Sequence, residues 1–233
     1  MSIKGLIFDL DGVIANTADL HFQAWQKTLS KYQINYSKSD DEFLKGIPRK
    51  EALLKILETR KINLSNDLIE QICNEKNHLY VTYVQNQIDE QAILPGIKDF
   101  LKKAKLKNLK LAIASSSKNA KTILHCLNLI NHFDFIVNTD EIQNGKPAPD
   151  IYLAAAKGLN LKPSECIGFE DGLSGIKGLI DAQIKTVSII EPTANFNLSG
   201  TYVCSSTQEL NLDLILDYFE KQIQSIFNVS TRN

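Results

Sequence analysis

The chain has 233 residues, of which 43% are hydrophobic and 23% charged, and its formal net charge is −1. That length suits one core domain with a smaller module beside it. The balanced charge offers no broad basic field for nucleic acid, no apolar run reaches the roughly 20 residues of a membrane span, and acids inside the first apolar stretch speak against a secretory leader.

The first expected element is a strand over residues 3–8, an apolar run that ends on Asp9 and Asp11 in FDLDGVIANT. A buried strand has no structural use for two carboxylates at its tip unless they meet a metal, a substrate or each other. Residues 16–93 then run almost without strand pattern. Helical spacing takes over, in Leu20, Ala24, Trp25 and Leu29, in Leu53, Leu54 and Leu57, and in Leu68, Ile69 and Ile72. Pro95-Gly96 punctuates the chain, and a helix is expected from Ile97 to about Lys105. Beyond it, apolar runs over 109–114, 133–137, 165–169 and 184–190 read as strands, with helices starting near 119, 149 and 174. Residues 211–227 space apolar side chains at 212, 215, 216, 219, 223 and 226, the pattern of an amphipathic closing helix. The four cysteines, Cys73, Cys126, Cys166 and Cys204, form no CxxC pair. They are expected to be reduced thiols packed as small apolar residues in a cytoplasmic protein.

Short apolar runs separated by helices imply βα units, a parallel sheet, and ligands at the carboxyl ends of its strands. The helical block interrupts that pattern after the first strand, so it reads as an insert covering the carboxyl edge. The expected fold is α/β: a parallel-sheet Rossmann-like core from residues 1–15 and 94–233, with an inserted α-helical cap domain over 16–93. Residues 15–17 and 92–96 are the two crossings, and therefore the expected hinges.

The residues just past each strand tell one story. Asp9 and Asp11 follow the first, Ser115 the second, Lys146 comes beyond the third, and Glu170 and Asp171 follow the fourth. Carboxylates gathered from two strands make a hard oxygen site suited to Mg²⁺. Ser115 and Lys146 supply a hydroxyl and a positive charge for a phosphoryl group. In such a site Asp9 can attack phosphorus, and Asp11 can act as general acid and base. His78, His125 and His132 have no metal-ligand spacing and read as structural or surface residues.

FDLDGV, the serine of SSSKN, the Lys-Pro of KPAPD, and GFED together resemble the four motifs of the haloacid dehalogenase superfamily, across essentially the whole chain. Within it, FDLDGVIANTADLHFQAW, LKGIPR, Lys76-Asn77, SSSKN, KPAPDIYLAAA and GFED are similar to the β-phosphoglucomutase family. The resemblance implies interconversion of β-D-glucose 1-phosphate and glucose 6-phosphate through an aspartyl-phosphate on Asp9 and a β-glucose 1,6-bisphosphate. It implies Mg²⁺ held by Asp9, the Asp11 carbonyl, Glu170 and Asp171, with Ser115 and Lys146 on the transferring phosphoryl group. It further implies a substrate pocket drawing on His21, Trp25, Gly46, Arg49, Lys76, Ser117, Lys118 and Asn119. Arg49 would clamp the second phosphate, while His21 and Lys76 would position Asp11. The expected partner is a small sugar phosphate, and the expected state is a monomer.

Three departures from the family pattern remove hydroxyl donors: Gly172 after Glu-Asp, Pro48 in LKGIPR, and Glu51-Ala52 just after it. They leave open which sugar is bound. The alternative is a sugar-phosphate phosphatase of the same superfamily, in which water accepts the phosphoryl group; Arg49, His21 and Lys76 speak against it, because a phosphatase needs no clamp for a second phosphate. A non-catalytic sensor on the same fold would be marked by loss of Asp9 or Lys146, and both are present.

Overall fold

The computed structural model describes residues 2–44, 47–190 and 200–230, with side chains in the last helix as far as Lys221. Strand β1 (Gly5–Phe8) leads into four helices, α1 (Ala18–Ser30), α2 (Lys38–Phe43), α3 (Arg49–Thr59) and α4 (Asn66–Gln87). The chain then runs through α5 (Ile97–Leu106), β2 (Lys110–Ile113), α6 (Ala120–Cys126), β3 (Phe135–Ile136) and α7 (Asp150–Gly158). It closes with β4 (Cys166–Glu170), α8 (Leu173–Asp181), β5 (Lys185–Ile189), β6 (Tyr202–Cys204) and α9 (Leu212–Ser230).

The strands form one wholly parallel sheet in the order β3-β2-β1-β4-β5-β6. Side chains alternate between its two faces, and helices cover both. Leu6 and Phe8 point into a cluster with Phe100 and Leu101 of α5, Ile123 and Leu124 of α6, and Leu212, Ile215 and Phe219 of α9. Ile7 points the other way, against Ile151, Tyr152 and Ala155 of α7 and Leu179 of α8. The outward and return halves of the strand order meet at β1 and β4, whose neighbouring connections leave in opposite directions. That is the switch point where open α/β sheets place their ligands.

The helices between β1 and α5 carry a hydrophobic cluster of their own. It contains Trp25, Leu29, Tyr36, Leu53, Ile56, Leu57, Ile69, Ile72 and Cys73, with no residue from the sheet. Leu20, Ala24, Tyr80 and Val84 face the other way and join the cluster beneath α5 and α6. The two crossings lie side by side: Ala15 pairs antiparallel with Ile93, Asn16 donates to the Ala92 carbonyl at 2.9 Å, and Leu94 donates to the Ile14 carbonyl at 3.0 Å.

Strand β6 was not anticipated. Three residues between polar neighbours give no readable alternation, and pairing with β5 supplies what local sequence lacks. Helix α2 also escaped, because it has no buried residue; Ser37 and Asp40 start it with a reciprocal capping box. The closing helix buries Leu212, Ile215 and Phe219 as its spacing requires, while Ile223 and Ile226 lie outside the described side chains. All four cysteines are free, and Cys73, Cys166 and Cys204 are buried. No helix among the described residues is long and apolar enough to cross a membrane.

Candidate active site

The site is built at the carboxyl ends of β1 and β4. Asp9 follows β1, and its backbone N–H donates to the Phe169 carbonyl at 3.0 Å, which fixes it beside Glu170 at the tip of β4. The chain then turns tightly, with Gly12 N–H on the Ala15 carbonyl at 2.9 Å. Gly12 has φ +86°, and a Cβ there would lie 1.9 Å from an Asp171 carboxylate oxygen. Glycine is needed at this position both for the backbone angle and for the approach of that acid. Gly175 of α8 is similar: a Cβ would come within 2.1 Å of the Glu170 carboxylate, so its absence lets the helix seat this buried acid.

Oxygens of Asp9, Glu170 and Asp171 lie within 4.8 Å of one another. Lys146 Nζ sits among them, donating to Asp9 at 2.6 Å and also to Glu170, and Tyr152 of α7 donates its hydroxyl to Glu170. Asp9, Lys146 and Glu170 are all buried. Burial pushes the Asp9 carboxyl well up. Lys146 pulls it down, but Glu170, Asp11 and Asp171 push it up again. Burial opposes charge on Lys146, yet Asp9 and Glu170 outweigh it and hold the ammonium well above its ordinary range. One lysine facing this many carboxylates leaves net negative charge in a low-dielectric pocket. A hard divalent cation would relieve that charge, and the all-oxygen donors fit Mg²⁺. The Asp11 side chain is not part of the group. It accepts from the Thr17 hydroxyl and lies 4.0 Å from His21 Nε2.

Ser115, after β2, is buried, and its Oγ accepts from Ser117 N–H at 3.1 Å. Opposite, α1 and α4 bring His21 and Lys76 together, Lys76 Nζ lying 2.8 Å from His21 Nδ1. Burial, then Lys76, then Arg49, push the His21 imidazolium well down, so the ring is neutral. The other ring nitrogen, Nε2, lies 4.0 Å from Asp11 Oδ1. Arg49, at the start of α3, spends one N–H on the Cys73 carbonyl at 3.0 Å and keeps its remaining donors near Lys76 and His21.

Burial first, and the Arg49 charge next, bring Lys76 down to about 7, against 10.5 for an unperturbed lysine. A lowered lysine binds its proton better when unfolded, so this group's contribution to stability rises with pH between about 7 and 10.5. A dianionic phosphate bound beside Arg49 would favour the charged form. For the sugar phosphate that the family resemblance implies, affinity is therefore expected to fall above about pH 7, by at most about tenfold per pH unit. Lys76→Arg, with its fixed charge, should flatten that slope. KM measured from pH 6.5 to 9 checks this, and a flat wild-type profile would contradict it.

The other anticipated residues are placed as follows. Asn119 donates its side-chain N–H to Asn77 of α4 at 2.9 Å, joining α6 to the helical segment. Ser117 Oγ accepts from Asn119 N–H at 3.2 Å. Lys118 is exposed and paired with Asp140. Trp25 is buried in the helical segment's own cluster with its ring 5.3 Å from Lys76 Nζ, a shelf for that lysine, and the His21 ring lies on Tyr80. Gly46 lies outside the described residues. Thr17, Tyr152 and Tyr80 were not anticipated as site residues. Thr17 reads as an ordinary N-cap, yet its side chain makes no cap bond, and both tyrosines fall at core-facing helix positions.

The comparisons with known proteins bear on this geometry. The chain is 35% identical over 224 residues to a β-phosphoglucomutase of Bacillus subtilis (strain 168), covering 94% of this chain and 96% of that protein. The crystal structure of a β-phosphoglucomutase from Clostridium difficile superposes with a TM-score of 0.89 at 38% identity, over 95% of this chain and 99% of that one. A phosphorylated carbohydrates phosphatase of Thermotoga maritima is 30% identical over 188 residues, covering 79% of this chain and 84% of that protein. A family model described as haloacid dehalogenase-like hydrolase matches residues 6–189. The chain belongs to the haloacid dehalogenase-like hydrolase family.

Proposed function

We propose that this phosphoryl-transfer enzyme is a β-phosphoglucomutase, interconverting β-D-glucose 1-phosphate and glucose 6-phosphate. The observation that carries the reading is the group of Arg49, Lys76 and His21, in which the charge of Arg49 acts on both neighbours and His21 lies 4.0 Å from Asp11. Arg49, with Lys76 when it carries its proton, makes a second cationic site, separate from Ser115 and Lys146, as a substrate with two phosphates requires. The segment 16–93 then acts as a cap that brings this second site over the core, with hinges at the two paired crossings.

In this reading Asp9 attacks phosphorus and carries the phosphoryl group as an aspartyl-phosphate, while Lys146 and Ser115 hold the transferring oxygens. Asp11 gives a proton to the departing sugar oxygen in one direction and takes one from the attacking hydroxyl in the other. His21, steered by Lys76, aims Asp11. The phosphate that does not react rests on Arg49, so β-glucose 1,6-bisphosphate can be held in either orientation. Mg²⁺ held by Asp9, the Asp11 carbonyl, Glu170 and Asp171 would supply Lewis-acid neutralisation of the phosphoryl charge. Asp171→Asn is accordingly expected to abolish metal-dependent turnover with an unchanged circular-dichroism spectrum, and full activity in excess chelator would refute the assignment.

A second reading is a sugar-phosphate phosphatase. It is favoured by the 30% identity to the phosphorylated carbohydrates phosphatase of Thermotoga maritima. The test is the product formed from β-glucose 1-phosphate with a trace of bisphosphate. Glucose 6-phosphate supports the mutase; glucose and inorganic phosphate support the phosphatase.

A further inference from the structure

Tyr152 of α7 is fully buried, and its ring and its hydroxyl touch different members of the sheet-edge site. Lys146 Nζ lies 5.2 Å from the centre of the ring. The hydroxyl donates to Glu170 Oε1, the same oxygen that accepts from Lys146. The other oxygen, Oε2, accepts from the backbone N–H groups of Asp171 at 3.2 Å and Gly172 at 3.3 Å. The Glu170 carboxylate is thus oriented from both ends. Gly178, inside α8, makes the room. A Cβ there would lie 2.8 Å from Tyr152 Cε2 and 3.2 Å from the Pro147 and Ala148 carbonyl oxygens. Glycine inside a helix is unfavourable, and here it lets α8 close on the ring and on the segment that carries Lys146.

The two side chains on Oε1 differ in kind. Lys146 is a cation shared between Glu170 and Asp9, whereas a phenol is neutral at ordinary pH. A divalent cation among Asp9, Glu170 and Asp171 would repel the ammonium and leave the phenol in place. We propose that Tyr152 is a positioning residue for the core site: its hydroxyl keeps Glu170 aimed at the cation when Lys146 turns to the phosphoryl group, and its ring gives the ammonium a face to rest on. Without the hydroxyl, Lys146 is the side chain left on Oε1, and the ammonium competes with the divalent cation for that carboxylate. The inference rests on the reading of Asp9, Glu170 and Asp171 as a Mg²⁺ site, and it adds a residue that acts on that site through Glu170.

Calorimetric titration of Mg²⁺ alone into the full chain tests it. Tyr152→Phe keeps the ring over Lys146 and should weaken Mg²⁺ binding roughly 10- to 100-fold, the range for losing an outer partner of a metal ligand. Turnover of β-glucose 1-phosphate should need correspondingly more Mg²⁺ for half its maximal rate, with KM for the sugar phosphate at saturating Mg²⁺ little changed. Thermal unfolding with and without Mg²⁺ separates positioning from packing. The variant should match wild type in chelator and gain less from added Mg²⁺. An equal drop in both conditions would make Tyr152 a packing residue and overturn the proposal, as would a variant that binds Mg²⁺ as tightly as wild type. Asp171→Asn binding Mg²⁺ like wild type would instead overturn the metal site itself, and the proposal with it.

Discussion

Asp9→Asn is expected to form no phosphoenzyme with acetyl phosphate and to show no turnover of β-glucose 1-phosphate. The amide has no anionic oxygen with which to attack phosphorus, and no neighbour can replace it. Glu170 is tied to Lys146 and Tyr152, and Asp11 is turned to Thr17. The variant should still fold, because removing one charge from a corner with excess carboxylate relieves repulsion even as Lys146 loses part of its pairing. Asp11→Asn should fail differently. Its nucleophile is intact and phosphoenzyme should form, but transfer to a sugar should be slower by roughly 10²–10⁴, the range for a missing general acid/base. Mass spectrometry of the two variants after acetyl phosphate treatment reads the distinction directly. An adduct with the mass of one phosphoryl group on the Asp9 variant would move the nucleophile elsewhere.

Arg49→Ala should cripple sugar-phosphate turnover while sparing the core. If the guanidinium clamps the phosphate that does not react, it matters only for substrates that carry one there. Truncating one partner of a desolvated charged pair costs roughly 2–5 kcal/mol, about 30- to several-thousand-fold in affinity. Phosphorylation of Asp9 by acetyl phosphate uses only the sheet-edge site and should change far less. Arg49→Lys should recover part of the loss, because a point charge cannot make two parallel contacts. Equal losses with both donors would mean that the bond to the Cys73 carbonyl, joining α3 to α4, is what the residue provides. No loss with either would favour the phosphatase.

The sheet-edge part of the site was legible because it depends on strands. An apolar run that ends in a charge marks both a strand and its carboxyl end, and the parallel order brings Asp9, Ser115, Lys146, Glu170 and Asp171 to one edge without further information. The helical side was legible only through resemblance. His21, Arg49 and Lys76 lie on three different helices, and nothing in helical spacing says that those helices converge. Lys76 is the clearest case: among Glu75, Asn77 and His78 it reads as a solvated lysine, yet it is buried against Trp25 and Tyr80. Thr17 and Tyr152 were hidden for the opposite reason. Their positions match a helix cap and a core face, so local chemistry gave no reason to look for a carboxylate partner. Strand β6 and helix α2 were missed because tertiary pairing and a capping box, not apolar period, define them.

In the proposed mechanism the phosphoryl group on Asp9 is delivered to a sugar that is already phosphorylated. The most direct measurement is a single-turnover chase: Asp9 is labelled with radioactive acetyl phosphate, excess donor is removed, and β-glucose 1-phosphate is added. A mutase would pass the label from the protein to glucose bisphosphate and then glucose 6-phosphate, faster than it is lost to water without sugar. Label released as inorganic phosphate, at a rate the sugar phosphate does not change, would contradict it.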